Sequence, residues 1–132
     1  MFKIFKTFFS KPFFTQKKYI VSIWFLLAIV SSLKQYFSNN PDKYINYLIY
    51  KNVFWHLLDK QNLYLEYPNL YFDHNHYGPL FGLIIAPFAL MPDWLGMTLW
   101  SVFNAGILVW AINKLPLKYN QINLIYWICA HE

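Results

Sequence analysis

The most constraining feature of this chain is the stretch Trp94 to Asn113, twenty consecutive residues without a formal charge. At a rise of about 1.5 Å per residue, a helix of that length matches the roughly 30 Å hydrocarbon thickness of a bilayer. A second uncharged run, Tyr19 to Leu33, holds 15 residues between Lys18 and Lys34. Flanking lysines can extend their ammonium groups toward headgroups, which lengthens the usable span. A third uncharged run covers His74 to Pro92, with its apolar core from Gly78. Pro79 suits a first helical turn, and Pro87 interrupts the helix it falls in. A fourth apolar run starts near Tyr119 and reaches Glu132.

Composition supports a membrane solvent. Apolar residues make up 58% of the 132-residue chain, and charged residues 13%. A water-soluble domain carries about 25% charged residues, so this surface lacks the polar groups that keep a monomer dissolved. The basic character, +5, comes from eleven lysines and no arginine. Nucleic-acid recognition favours the planar arginine fork, so the charge indicates topology and not a nucleic-acid partner. Cys129 is the single cysteine, which excludes an internal disulfide.

The expected architecture is an all-α polytopic membrane protein. Residues 1–18 form a cytoplasmic basic and aromatic N-terminus. Transmembrane helix 1 covers 19–37, and an extracytoplasmic loop covers 38–77, with an interfacial helix over 42–60. Transmembrane helices 2 and 3 cover 78–92 and 94–113, and 119–132 begins a fourth helix that ends within its span. A cleaved signal peptide over the first apolar run is the alternative reading, with Val30-Ser31-Ser32 as its site. Five lysines before Tyr19 place the N-terminus in the cytoplasm. On that topology the Pro92-Asp93 turn is inside, and Lys114 and Lys118 fall outside against the positive-inside rule. Residues 1–16 can lie in the inner interface.

Chemistry is expected in the loop 38–77, the long polar segment. Ser38-Asn39-Asn40-Pro41-Asp42 reads as a helix start, and Gln61-Asn62 as its end. Helical periodicity places Asp42, Asn46, Val53, His56 and Lys60 on one side, facing water. Tyr44, Tyr47, Leu48, Trp55 and Leu58 form the apolar side. A carboxylate held at the bilayer surface can act as a general base toward a lipid-linked substrate. His74 and His76, beside Asp73, can bind water, headgroups or phosphate, and Lys51 and Lys60 can hold phosphate. Two histidines without a second ligand pair make no metal site, so no metal and no cofactor are expected. Phosphate-loop, serine-nucleophile and paired-cysteine motifs are missing from the sequence.

Several short strings occur in a telling order. They are Asn46 to Lys51, Leu57-Leu58-Asp59-Lys60-Gln61-Asn62-Leu63-Tyr64, Tyr77-Gly78-Pro79-Leu80-Phe81, Ala86 to Pro92, and Leu99-Trp100-Ser101-Val102-Phe103-Asn104. Together, over about residues 42–112, they resemble glycosyltransferase family 87. The family's stretches of GQNPY, YPPLF, APLALLP and LWxxxN type appear in the same order. The resemblance implies a GT-C membrane enzyme of the bacterial inner membrane. It would move a sugar, such as mannose, from a polyprenyl-phosphate donor to an extracytoplasmic acceptor. It also implies a carboxylate base in the first outer loop. That family aspartate falls on Asn46 here, and Asn cannot take a proton. Asp42, one turn earlier on the same face, and Asp73 are the candidate bases. Asn46, Lys51, His74 and His76 are candidate substrate-binding residues. The family's usual length implies a remainder of the same polypeptide beyond Glu132, and inactivity of these residues alone. The alternative is a small non-enzymatic membrane subunit or an inactive gene fragment.

Overall fold

The computed structural model describes residues 15–40 and 43–130. The basic segment expected at the inner interface therefore lies almost wholly outside the described residues. Among the described residues there are five helices: α1 Lys17–Tyr36, α2 Ile45–Leu58, α3 Pro79–Ala89, α4 Asp93–Asn113 and α5 Tyr119–Cys129. No strand occurs among the described residues.

Two of these helices, α1 and α4, are long and apolar enough to cross a membrane. α1 exceeds its uncharged run because Lys17, Lys18 and Lys34 join its end turns. α3 is different. Its 11 residues span roughly 16 Å, about half a bilayer core. Gly78 is extended and Pro79 opens the helix, while Pro92 forbids its continuation beyond the turn at Leu90 and Met91. The full span expected over 78–92 is not shown; the helix there covers Pro79–Ala89. Counting uncharged residues measured the run but not the helix inside it.

The chain divides into two compact units, Met1–Ala28 with Val102–Glu132, and Ile29–Ser101. In the first unit, Ile20, Trp24, Ile112 and Tyr126 form a buried core. The Trp24 indole donates to the Tyr126 carbonyl at 3.0 Å, and the two rings meet edge to face at 5.5 Å. Lys17 Nζ donates to Asn113 Oδ1, and the Lys17 amide donates to the Tyr119 hydroxyl at 3.0 Å. The start of α1 and the end of α4 are thus side by side.

In the second unit, Ser32 and Thr98 share a hydroxyl hydrogen bond at 3.1 Å. Ser32 lies four residues before the end of α1, and Thr98 five residues after the start of α4. The two ends, Tyr36 and Asp93, therefore sit at one level. The topology read from lysine counts had set these two ends on opposite sides of the bilayer. α2 and α3 pack as an antiparallel pair: Tyr47 Oη donates to the Phe88 carbonyl at 2.9 Å, and Gly82 faces Leu57 and Val53. Lys51 Nζ bonds Asp93 Oδ1 at 2.6 Å, tying α2 to the first turn of α4. Tyr50, Tyr77, Phe81 and Trp100 form an aromatic cluster, with Tyr77 stacked on Phe81 at 4.5 Å.

Candidate functional site

α2 begins later than expected. Its N-cap is Tyr44, in the left-handed region at φ 45°, with no side-chain cap bond. The helix ends at Leu58, and Lys60 turns the chain at φ 55°. The water-facing side assigned from periodicity does not hold. Val53 and His56 are both buried, at 1% and 3% exposure, while Leu58 from the supposed apolar side is 58% exposed. The reason is tertiary. One side of α2 is covered by α3, and another by the loop that follows it, so a single amphipathic stripe is the wrong description.

His56 packs its ring against Tyr67 at 3.9 Å between centroids. Its Nε2 and the Tyr71 hydroxyl are buried without hydrogen-bond partners among the described residues. Burial lowers the His56 pKa, with Asp59 opposing weakly, and burial raises that of Tyr71. Tyr50 is pushed up to about 12 by burial and by its contact with the Tyr77 hydroxyl.

The loop between α2 and α3 is held by amides. The Tyr64 N–H donates to Asn62 Oδ1 at 2.9 Å, and the Tyr67 hydroxyl donates to the Asn62 carbonyl at 2.6 Å. Asn75, buried at 4% exposure, donates to the carbonyls of Leu63 at 3.1 Å and Tyr77 at 3.0 Å. It also accepts the Tyr77 N–H at 2.9 Å. Asn75 thereby spans the loop and sets the extended geometry in which its neighbours His74 and His76 are both exposed. Sequence reasoning passed over Asn75 because attention fell on the two histidines. Its position between two exposed residues in an extended stretch was the available signal.

A cleft of about 290 Å³ is lined by Glu66, Pro68, Tyr71, Phe72, Asp73 and His74. His74 Nε2 lies 3.1 Å from Glu66 Oε1, and Asp73 Oδ1 accepts the His74 backbone N–H at 2.7 Å. The structure thus brings Asp73 and His74 together and adds Glu66, which the sequence reading did not select. The arrangement offers two carboxylates and an imidazole beside apolar ring surface. That set can accept protons from hydroxyl groups and hold a ligand that carries them.

The other candidates are elsewhere. Asp42 lies outside the described residues. Asn46 and His76 are exposed and do not line the cleft. Lys51 is engaged with Asp93, so its charge is already satisfied within the fold and it is not a free phosphate ligand. Among the described residues, no group of three or more His, Cys, Asp or Glu side chains gathers in a metal-binding arrangement.

Residues 75–130 match the sequence model of Glycosyltransferase family 87. The matched segment contains the Tyr77 to Phe81, Ala86 to Pro92 and Leu99 to Asn104 strings. It begins after Asp73 and His74. No curated protein and no solved structure matches the chain.

Proposed function

We infer from the match over residues 75–130 that this chain is a glycosyltransferase family 87 protein, and we propose that it works at the outer face of a bacterial inner membrane. The reaction is transfer of a sugar, mannose being the first to test, from a polyprenyl-phosphate donor to an acceptor hydroxyl. The observation that carries the placement is the Ser32–Thr98 contact. With Tyr36 and Asp93 at one level and the lysine-rich start of α1 inside, residues 37–92 all belong outside. Lys114 and Lys118 then return to the cytoplasmic side. This removes the conflict with the positive-inside rule that a three-span reading creates.

In this reading Asp73 is the general base, and the exposed carboxylate of Glu66 orients His74 beside it. Asp73 takes the acceptor proton as the acceptor oxygen attacks the anomeric carbon. The bond from that carbon to the phosphate oxygen breaks, and polyprenyl phosphate leaves with the electron pair. His74 donates a hydrogen bond to the developing charge. Asp42 is the competing base.

The test has two parts. Sugar transfer in membrane vesicles is measured for Asp73→Asn and Asp42→Ala in the full-length protein. Loss in the first alone supports Asp73, loss in the second alone moves the base to Asp42, and full turnover in both ends the proposal for this loop. Topology is read in a Cys129→Ser background, with Leu90→Cys or Pro116→Cys probed by a membrane-impermeant maleimide in spheroplasts. Labelling at 90 and protection at 116 is expected. The reverse pattern defeats the orientation.

A further inference from the structure

A second cleft, of about 330 Å³, opens at the C-terminal end of α1. It is lined by Ser31, Lys34, Gln35, Ser38, Asn40 and Lys43. Every one of these side chains can donate a hydrogen bond, two are cations, and no carboxylate is among the described residues that line the cleft. The Asn40 N–H donates to Ser38 Oγ at 3.2 Å, which occupies an acceptor position of that hydroxyl and leaves its proton to point elsewhere. Among the described residues neither Lys34 nor Lys43 has a carboxylate partner, whereas Lys51 is spent on Asp93. Lys43 instead leans over the rings of Tyr36 and Tyr44, at 5.9 Å from each centroid.

We propose that this cleft binds the phosphate of a lipid in the outer leaflet. Three features select that ligand. Among the described residues, two full positive charges outweigh the roughly half negative charge of the α1 C-terminus, which favours an anion. The donors are compact groups suited to the oxygens of a phosphate. The site also stands at the end of a helix able to cross a membrane, with Val30 and Phe37 exposed at 52% and 71% beside it. Those side chains give the lipid's chain an apolar surface while its headgroup meets the lysines. Two sources share this chemistry: a resident anionic phospholipid, and a polyprenyl monophosphate. The inference needs α1 to lie in a bilayer, and its choice of leaflet rests on the orientation proposed above. It does not depend on the assignment of Asp73.

The full chain is reconstituted in phosphatidylcholine nanodiscs and titrated separately with phosphatidylglycerol and with a polyprenyl monophosphate. Retained lipid is counted by native mass spectrometry. Lys34→Gln with Lys43→Gln is expected to weaken retention of at least one of these lipids about thirtyfold, leaving phosphatidylcholine retention unchanged. The charge-preserving pair Lys34→Arg with Lys43→Arg is expected to restore it, which separates a binding role from damaged folding. Dependence for phosphatidylglycerol alone identifies a resident lipid. Dependence for polyprenyl phosphate identifies the carrier. Equal retention by the wild type and the glutamine pair, or failure of the arginine pair to restore binding, overturns the proposal. If Asp73→Asn leaves transfer unchanged while lysine-dependent retention persists, only the glycosyl-transfer assignment falls.

Discussion

Around Trp24 and Tyr126 large apolar side chains are pinned by hydrogen bonds to backbone carbonyls; around Gly96 and Lys51 the packing turns on a close backbone approach and an ion pair. In the unit of Met1–Ala28 and Val102–Glu132, Ile20 and Tyr126 are fully buried, and Gly106 has nothing nearer to its missing Cβ than the Phe25 ring at 4.0 Å. In the unit Ile29–Ser101, a Cβ on Gly96 would stand 2.3 Å from the Phe88 carbonyl oxygen and 2.1 Å from Tyr47 Oη. That unit also holds the Lys51–Asp93 pair and the unpartnered His56 and Tyr71 atoms. A lipid-solvated helix pair needs shape and apolarity. A segment that carries a cleft needs fixed backbone approaches and placed polar groups. Among the described residues the first unit also holds one such unpartnered buried atom, Asn123 Oδ1, and each of the three weakens the packing around it.

The largest effect that tests this contrast is catalytic. Asp73→Asn is expected to lower sugar transfer by about 10²–10⁴-fold, while Tyr126→Phe in the other unit leaves turnover near that of the wild type. Steady-state transfer in vesicles compares the two, and equal losses would dissolve the distinction. Next come two glycines of one helix. Gly96→Ala is expected to destabilise by about 1–3 kcal/mol, because the obstacle is backbone and cannot rotate away. Gly106→Ala is expected to stabilise by about 0.5–1 kcal/mol through helix propensity. Unfolding of both variants in the same detergent reads the opposite signs. Lys51→Met, which leaves Asp93 without its partly exposed partner, is expected to cost about 1 kcal/mol.

The smallest effect is pH-dependent and confined to Ile29–Ser101. The folded state lowers the His56 pKa below its ordinary 6.5. The unfolded chain then binds the proton first, so stability is full above about pH 6.5 and declines as pH falls through that value toward the folded pKa. Asp59 and the tyrosines 67 and 71 are the titratable groups facing this ring. Hydrogen exchange of residues 62–77 is expected to quicken on acidification in the wild type and to lose that dependence in His56→Phe. An unchanged profile in the variant would overturn the assignment of the pH response to His56.

Some of this was legible in the residues. Pro79 at a helix start, the turn at Pro92 and the loop nature of 61–77 are local matters, settled by backbone sterics. Asp73 and His74 stood out as polar groups ahead of an apolar run. Glu66 did not, because nothing in the sequence shows that a residue eight positions earlier returns to meet His74. His56 was assigned to water because helical periodicity knows only one partner surface, and α2 has two. Lys51 looked like a free cation until its pairing with Asp93, 42 positions away, was seen.

The sequence by itself determined that the chain is helical and that α1 and α4 can cross a membrane, since they carry predominantly apolar uncharged runs of 15 and 20 residues. It also carried the family signal in the strings from Tyr77 to Asn104. The tertiary structure decided which ends of those helices are neighbours, through Ser32 with Thr98 and Lys17 with Asn113. It decided which carboxylates share a cleft. Those outcomes rest on contacts between residues far apart in the chain. Their free energy comes from shape and hydrogen bonding between elements, and a local pattern of apolar and polar residues does not contain it.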